Sequence, residues 1–192
     1  MRHHIILTLI TAFIIAGCGG PATVWRGIRH DSRQYAGKHG FTAELPARWM
    51  LYEDKEMLLL TRHSVPMDFI RVKRSPLPAS LPNTELSINA YMQVYEIAEV
   101  VVNSLRASRG VYDLAVLELS PEIIDGREGF SMLLVYNMEN GMRRRCLIYG
   151  FIHSGPCGAQ YYTEIGLYAL EDYYFGAVAE DFLSLVGSFR VR

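Results

Sequence analysis

The sequence predicts an α+β fold: a mainly antiparallel sheet covered by helices on both faces. Three observations predict it. Short strand-like runs recur from Phe41 onward, separated by prolines and by Asp-Gly and Asn-Gly turn signals. Two longer segments, one reaching Arg106 and one reaching Val186, carry apolar residues at three- and four-residue spacing, the mark of amphipathic helices. Several strands are apolar on both parities, and such strands want cover on both sides. At 192 residues the chain suits one domain with a substantial core.

The first element is not part of that domain. A weakly basic start at Arg2, His3 and His4 leads into an apolar run from Ile5 to Ala16. As a helix this run reaches about 18 Å, short of the roughly 30 Å of a bilayer core, so it reads as the h-region of an export signal. The stretch Ile15-Ala16-Gly17-Cys18 resembles a bacterial lipobox. That resemblance implies cleavage between Gly17 and Cys18 and a diacylglyceryl group on the Cys18 thiol, often joined by a third fatty chain on the new amine. Two or three chains hold a protein at a bilayer where one does not. The alternative is an ordinary secretory signal with an incidental cysteine. Gly19 follows where an acidic residue would favour inner-membrane retention, which tilts the expectation towards the outer membrane. Residues 1–17 are then a signal peptide, 18–40 a lipidated, flexible tether rich in glycine and polar residues, and 41–192 the globular domain. Within the tether Trp25 and Ile28 are expected to dock on that domain.

In the domain, "FTAEL", "WMLYE", "MLLLTR" and "DFIRVKR" read as four short strands. In the fourth, Ile70 and Val72 alternate with Arg71 and Lys73, as on a strand with one wet face. "SPLPASLPN" breaks the pattern. Asn83 is the expected cap of a helix to Arg106, with Glu85 in its first turn and Tyr91, Val94 and Tyr95 on its core face; Gly110 follows its end. A meander comes next: "YDLAVLEL", "FSMLLVYNM", "RRCLIYGFI" and "YYTEIGLYAL", with turns at Asp125-Gly126 and Asn140-Gly141. Residues 114–119 are apolar on both parities and want two-sided cover, whereas 161–167, with Glu164 against Ile165, read as a strand nearer an edge or under a thinner cover. The closing helix is expected over Leu170–Val186, with Glu171 and Asp172 in its opening turn and Gly187 at its end.

Together, "GFTAELPARWMLYED", the short hairpins after it, the helix, the four-strand meander and the closing "YYFGAVAEDFLSLVGSFRV" resemble the PsbP-like fold, an α/β/α sandwich, over residues 40–192. The resemblance implies accessory or assembly work through binding other proteins. It maps no ligand residue onto this chain.

Composition and motifs narrow the chemistry. The chain has 19 Lys+Arg against 20 Asp+Glu, and loss of residues 1–17 removes one basic residue and no acidic one. No basic footprint for nucleic acid is present. Once Cys18 is lipidated, Cys146 and Cys157 remain; with a turn at Ser154-Gly155-Pro156 they lie farther apart than a disulfide spans. His63, Ser64 and Asp68 cluster within six residues, but nucleophilic triads are assembled from separated elements, and these read better as exposed turn residues. His153 and Cys157 offer a base and a thiol four residues apart, a weak pair that would need an electropositive niche to lower the thiol pKa; a turn histidine beside a buried thiol is the plainer reading. Arg143 and Arg145 share one face of a strand and together could hold a carboxylate or phosphate or meet a partner; a charged strand end that discourages edge pairing is the plainer reading. No two histidines have metal-ligand spacing, and no motif calls for a cofactor.

The expected protein is therefore a lipid-anchored, non-enzymatic accessory of the bacterial envelope. It faces the periplasm, tethered to the membrane through Cys18, and binds another envelope protein. The alternative is a cryptic envelope enzyme or small-ligand binder, which requires a pocket between sheet and helix where polar side chains converge.

Overall fold

The computed structural model of the chain describes residues 25–29, 34–37 and 39–192. The export segment, the lipobox and Cys18 lie outside the described residues.

Eight strands form one sheet in the order β1-β4-β5-β6-β12-β11-β10-β9, every pair antiparallel. They are β1 (Arg26–Gly27), β4 (Met50–Glu53), β5 (Met57–Thr61), β6 (Asp68–Pro76), β9 (Val111–Ile124), β10 (Arg127–Met138), β11 (Arg143–Ser154) and β12 (Gln160–Leu170). Two small sheets flank it: β13 (Arg190–Val191), β3 (Phe41–Glu44) and β2 (Gln34–Tyr35) in one, β7 (Ala79–Ser80) and β8 (Ser87–Ile88) in the other. The helices are α1 (Val94–Arg106) and α2 (Tyr174–Ser188). Asp125 and Gly126, at φ 50° and 73°, make the two-residue turn that sets the β9–β10 register.

Strand alternation divides the core in two. On β12, Ile165, Leu167 and Ala169 join Leu58, Leu60, Ile70 and Val72 against Val178, Phe182 and Leu185 of α2. Tyr162 and Tyr168 point the other way, into a cluster with Phe130, Met132, Cys146 and Ile148 against Ile97, Val100 and Val101 of α1. The sheet is thus mainly antiparallel, with two helices among the described residues. That is coarser than the expected helical cover over both faces: α2 packs against β12, β6 and β3, and α1 against β9, β10 and β11.

Several expectations need correction. The first helix starts at Val94, where the Gln93 N–H donates to Glu96 Oε2 at 2.6 Å. Asn83 does not cap it: its φ is 60°, and its amide donates to Ser108 Oγ. Thr84 and Asn89 close local turns on the N–H groups of Leu86 and Tyr91, an alternative to helix that such side chains offer. Tyr91 and Tyr95, expected in the core, are exposed. The closing helix starts at Tyr174, because Leu170 still belongs to β12, and it runs through Gly187 to Ser188. The expected edge strand, β12, is central, while β9, expected to be covered twice, is the edge.

Residues expected in the tether are hydrogen-bonded to the domain. Arg26 and Gly27 pair with β4, and Gln34 and Tyr35 pair with β3. Ile28 is buried, and Trp25 packs against Tyr52 in a tilted ring pair with centroids 5.6 Å apart.

Candidate functional site

The α1 side of the sheet holds a charged cluster under helix cover. Arg71 on β6 and Glu164 on β12 project from neighbouring strands, and Arg71 Nη2 donates to Glu164 Oε1 at 2.5 Å and to Tyr168 Oη at 2.8 Å. Tyr168 Oη also donates to Glu164, at 3.2 Å. This carboxylate is buried yet partnered, as a buried charge must be. Beside it, Tyr162 is 1% exposed and its hydroxyl makes no hydrogen bond. Burial and the neighbouring Glu164 carboxylate raise its phenol well above the usual range.

These groups border a partly open cavity of about 90 Å³ between sheet and helix. Arg71, Lys73 and Ser75 form one wall, Tyr162 and Glu164 a second, and Val101, Ser104 and Leu105 of α1 the third. Leu81 and Pro82, just after β7, close it, held by a hydrogen bond from Ser104 Oγ to the Pro82 carbonyl at 2.5 Å. The face of β6 expected to be wet therefore lies against α1. The sequence did not single out Glu164 or Tyr162 for this site. The available signal was a tyrosine and a glutamate two residues apart, hence on one face of a strand.

A second feature lies at the sheet edge. Among the described residues β9 pairs only with β10, which leaves one side of its backbone without a strand partner there. Val116, Leu117 and Ile123 are exposed along it, Leu117 and Ile123 at 50% and 67%. Next to Ile123, the start of α1 and the end of β9 enclose an open groove of about 570 Å³ lined by Val94, Tyr95, Pro121 and Ile123, with Glu122 and Glu128 at its rim.

The residues singled out by sequence fall elsewhere. Arg143 and Arg145 do share a face, but both engage Glu171: Arg143 Nε lies 3.0 Å from Oε2, and Arg145 Nη2 lies 2.6 Å from Oε1. The anion they hold is the chain's own. His153 is buried, bonded through Nε2 to Thr163 Oγ1 at 2.9 Å, and burial pushes its pKa down to about 4. Cys157 is exposed in the turn Pro156–Gly158, and no hydrogen bond joins the two. Cys146 is a buried free thiol whose pKa burial pushes up, the opposite of activation. Asp68 is fully buried rather than exposed, and accepts hydrogen bonds from the Arg62 and His63 N–H groups and from Thr61 Oγ1. Its carboxylate also contacts His63 Nδ1. Ser64 accepts the Met67 and Asp68 N–H groups through its carbonyl, which makes the cluster a turn lock. Among the described residues no group of three His, Cys, Asp or Glu side chains could hold a metal ion.

No protein-family model and no curated protein matches the chain. Solved structures do. PsbP of the cyanobacterium Synechocystis (CyanoP) superposes with a TM-score of 0.59 at 16% identity, covering 93% of this chain and 99% of that one. The Saccharomyces cerevisiae Ran-binding protein Mog1p gives a TM-score of 0.51 at 10% identity, over 79% and 90%. LpqN of Mycobacterium tuberculosis, described as involved in cell envelope biogenesis, gives 0.45 at 9% identity over 88% and 90%, too distant to argue from. The first two likenesses establish a PsbP-like fold.

Proposed function

We propose that this chain is a lipid-anchored, non-enzymatic accessory protein of the bacterial envelope that holds another protein along the β9 edge. One observation carries the binding part: a 14-residue apolar edge strand with unpaired backbone, beside a groove lined by Tyr95 and Ile123. An extended segment can add to such an edge through main-chain hydrogen bonds and seat alternate side chains in the groove. Asp113, Glu118, Glu122 and Glu128 surround the strand, so the complementary segment is apolar and basic. The Mog1p neighbour binds Ran, which supports a protein-binding use of this fold. The anchor rests on the lipobox at Gly17-Cys18 and its preceding h-region.

Site-specific photo-crosslinking tests the docking edge. A photoreactive residue at Leu117 of the full chain, in native membranes, should give one discrete adduct that disappears with Val116→Lys. A matched probe at Leu183 on α2 should give none. Adducts of equal yield from both positions would remove the proposal, as would none from Leu117. Mass spectrometry of the mature N-terminus tests the anchor separately: an unmodified Cys18 thiol or an intact leader would exclude it.

A further inference from the structure

We propose that the cavity beneath α1 is a binding site for a small monocarboxylate, of acetate or propionate size. The inference is independent of the docking edge, which lies at the end of the sheet. The groups left unsatisfied at the cavity are donors. Arg71 Nε is buried without a hydrogen-bond partner, and Lys73 makes no ion pair among the described residues. The acceptor present, Glu164, is already taken by Arg71 and Tyr168. A carboxylate, which only accepts, complements that set.

Charge selects the same ligand. Arg71 and Lys73 against Glu164 leave one positive charge, which a monoanion neutralises. A phosphate dianion would overcharge the site. Size and shape limit it further. The cavity, about 90 Å³, has room for roughly three waters at 30 Å³ each or one anion of two to three carbons. Leu81, Val101 and Leu105 form an apolar wall that suits a short carbon tail better than water.

Titration calorimetry of the full chain with sodium acetate, sodium propionate, sodium phosphate and sodium chloride tests it. Saturable 1:1 binding of acetate or propionate is expected, with no heat from phosphate or chloride. Lys73→Met should weaken binding at least about tenfold, the loss of one charge-assisted hydrogen bond. Val101→Phe, which fills the cavity while keeping an apolar helix face, should abolish it. No saturable binding of either carboxylate would overturn the proposal: the cavity would then hold water alone. Equal binding of phosphate, or carboxylate binding untouched by both Lys73→Met and Val101→Phe, would overturn it as well.

Discussion

β12 and β9 are built from similar material and have opposite fates. Both are long, apolar-rich, antiparallel strands with a glutamate near the middle, Glu164 and Glu118. β12 lies between β6 and β11, and every residue from Tyr162 to Ala169 is buried. β9 lies at the end of the sheet, where Tyr112, Val116, Leu117 and Ile123 remain exposed. Glu164 finds Arg71 and Tyr168 within hydrogen-bond reach, whereas Glu118 stays in solvent. A strand's rank in the sheet, more than its own residues, decides whether its apolar face becomes core or stays exposed.

Paired substitutions would break that comparison if it is wrong. The largest contrast is expected between Leu167→Ala and Leu117→Ala. The first opens a cavity in fully buried surroundings and should cost about 3 kcal/mol. The second should stay within about 0.5 kcal/mol. Urea denaturation midpoints check both, and equal costs would mean that β9 is covered in solution. Next come the glutamates. Glu164→Gln removes the charge opposite Arg71 and should cost about 2 kcal/mol, moderated because Arg71 is partly exposed; Glu118→Gln should change nothing measurable.

A pH-dependent effect sharpens the boundary between β11 and β12. Burial holds His153 neutral in the folded protein down to about pH 4, while the unfolded chain takes up its proton near 6.5. Between those values the unfolded state binds the extra proton. Stability from this group is therefore intact above 6.5 and falls as pH drops towards 4. Arg74, Arg127 and Asp125 also act on this imidazole, the two arginines disfavouring its charge and the aspartate favouring it. His153→Gln should flatten the acid limb of a pH–stability curve, and an unchanged limb would mean that His153 is wetter than its position beside Thr163 implies. The smallest effect is Trp49→Phe, which loses the hydrogen bond to Asp181 Oδ2 and should cost about 1 kcal/mol in a thermal or urea melt.

Much of the fold was legible because its signals are local. Asp125-Gly126 and Asn140-Gly141 marked turns, prolines marked breaks, and the apolar spacing of Val178, Phe182 and Val186 marked α2. Rank in the sheet was not legible. The pairing of β12 with β6 joins residues about ninety positions apart, and no local pattern reports it. The edge reading of β12 failed for that reason: alternation with a charged residue looks the same whether the polar face meets water or a partnered cluster under a helix. Arg71, Lys73 and Glu164 were hidden by this ambiguity. The shared face of Arg143 and Arg145 could be read from strand period alone, but their engagement by Glu171, 26 residues beyond Arg145, could not.

The pairing of Arg26 and Gly27 with β4 puts the start of the described chain at one margin of the sheet. Seven residue steps separate Cys18 from Trp25, at most about 25 Å of chain. For a protein held by fatty chains on Cys18, that leash is short enough to keep the β1 margin beside the lipid. The β9 margin is the opposite end of the same sheet, seven strand spacings or about 34 Å away.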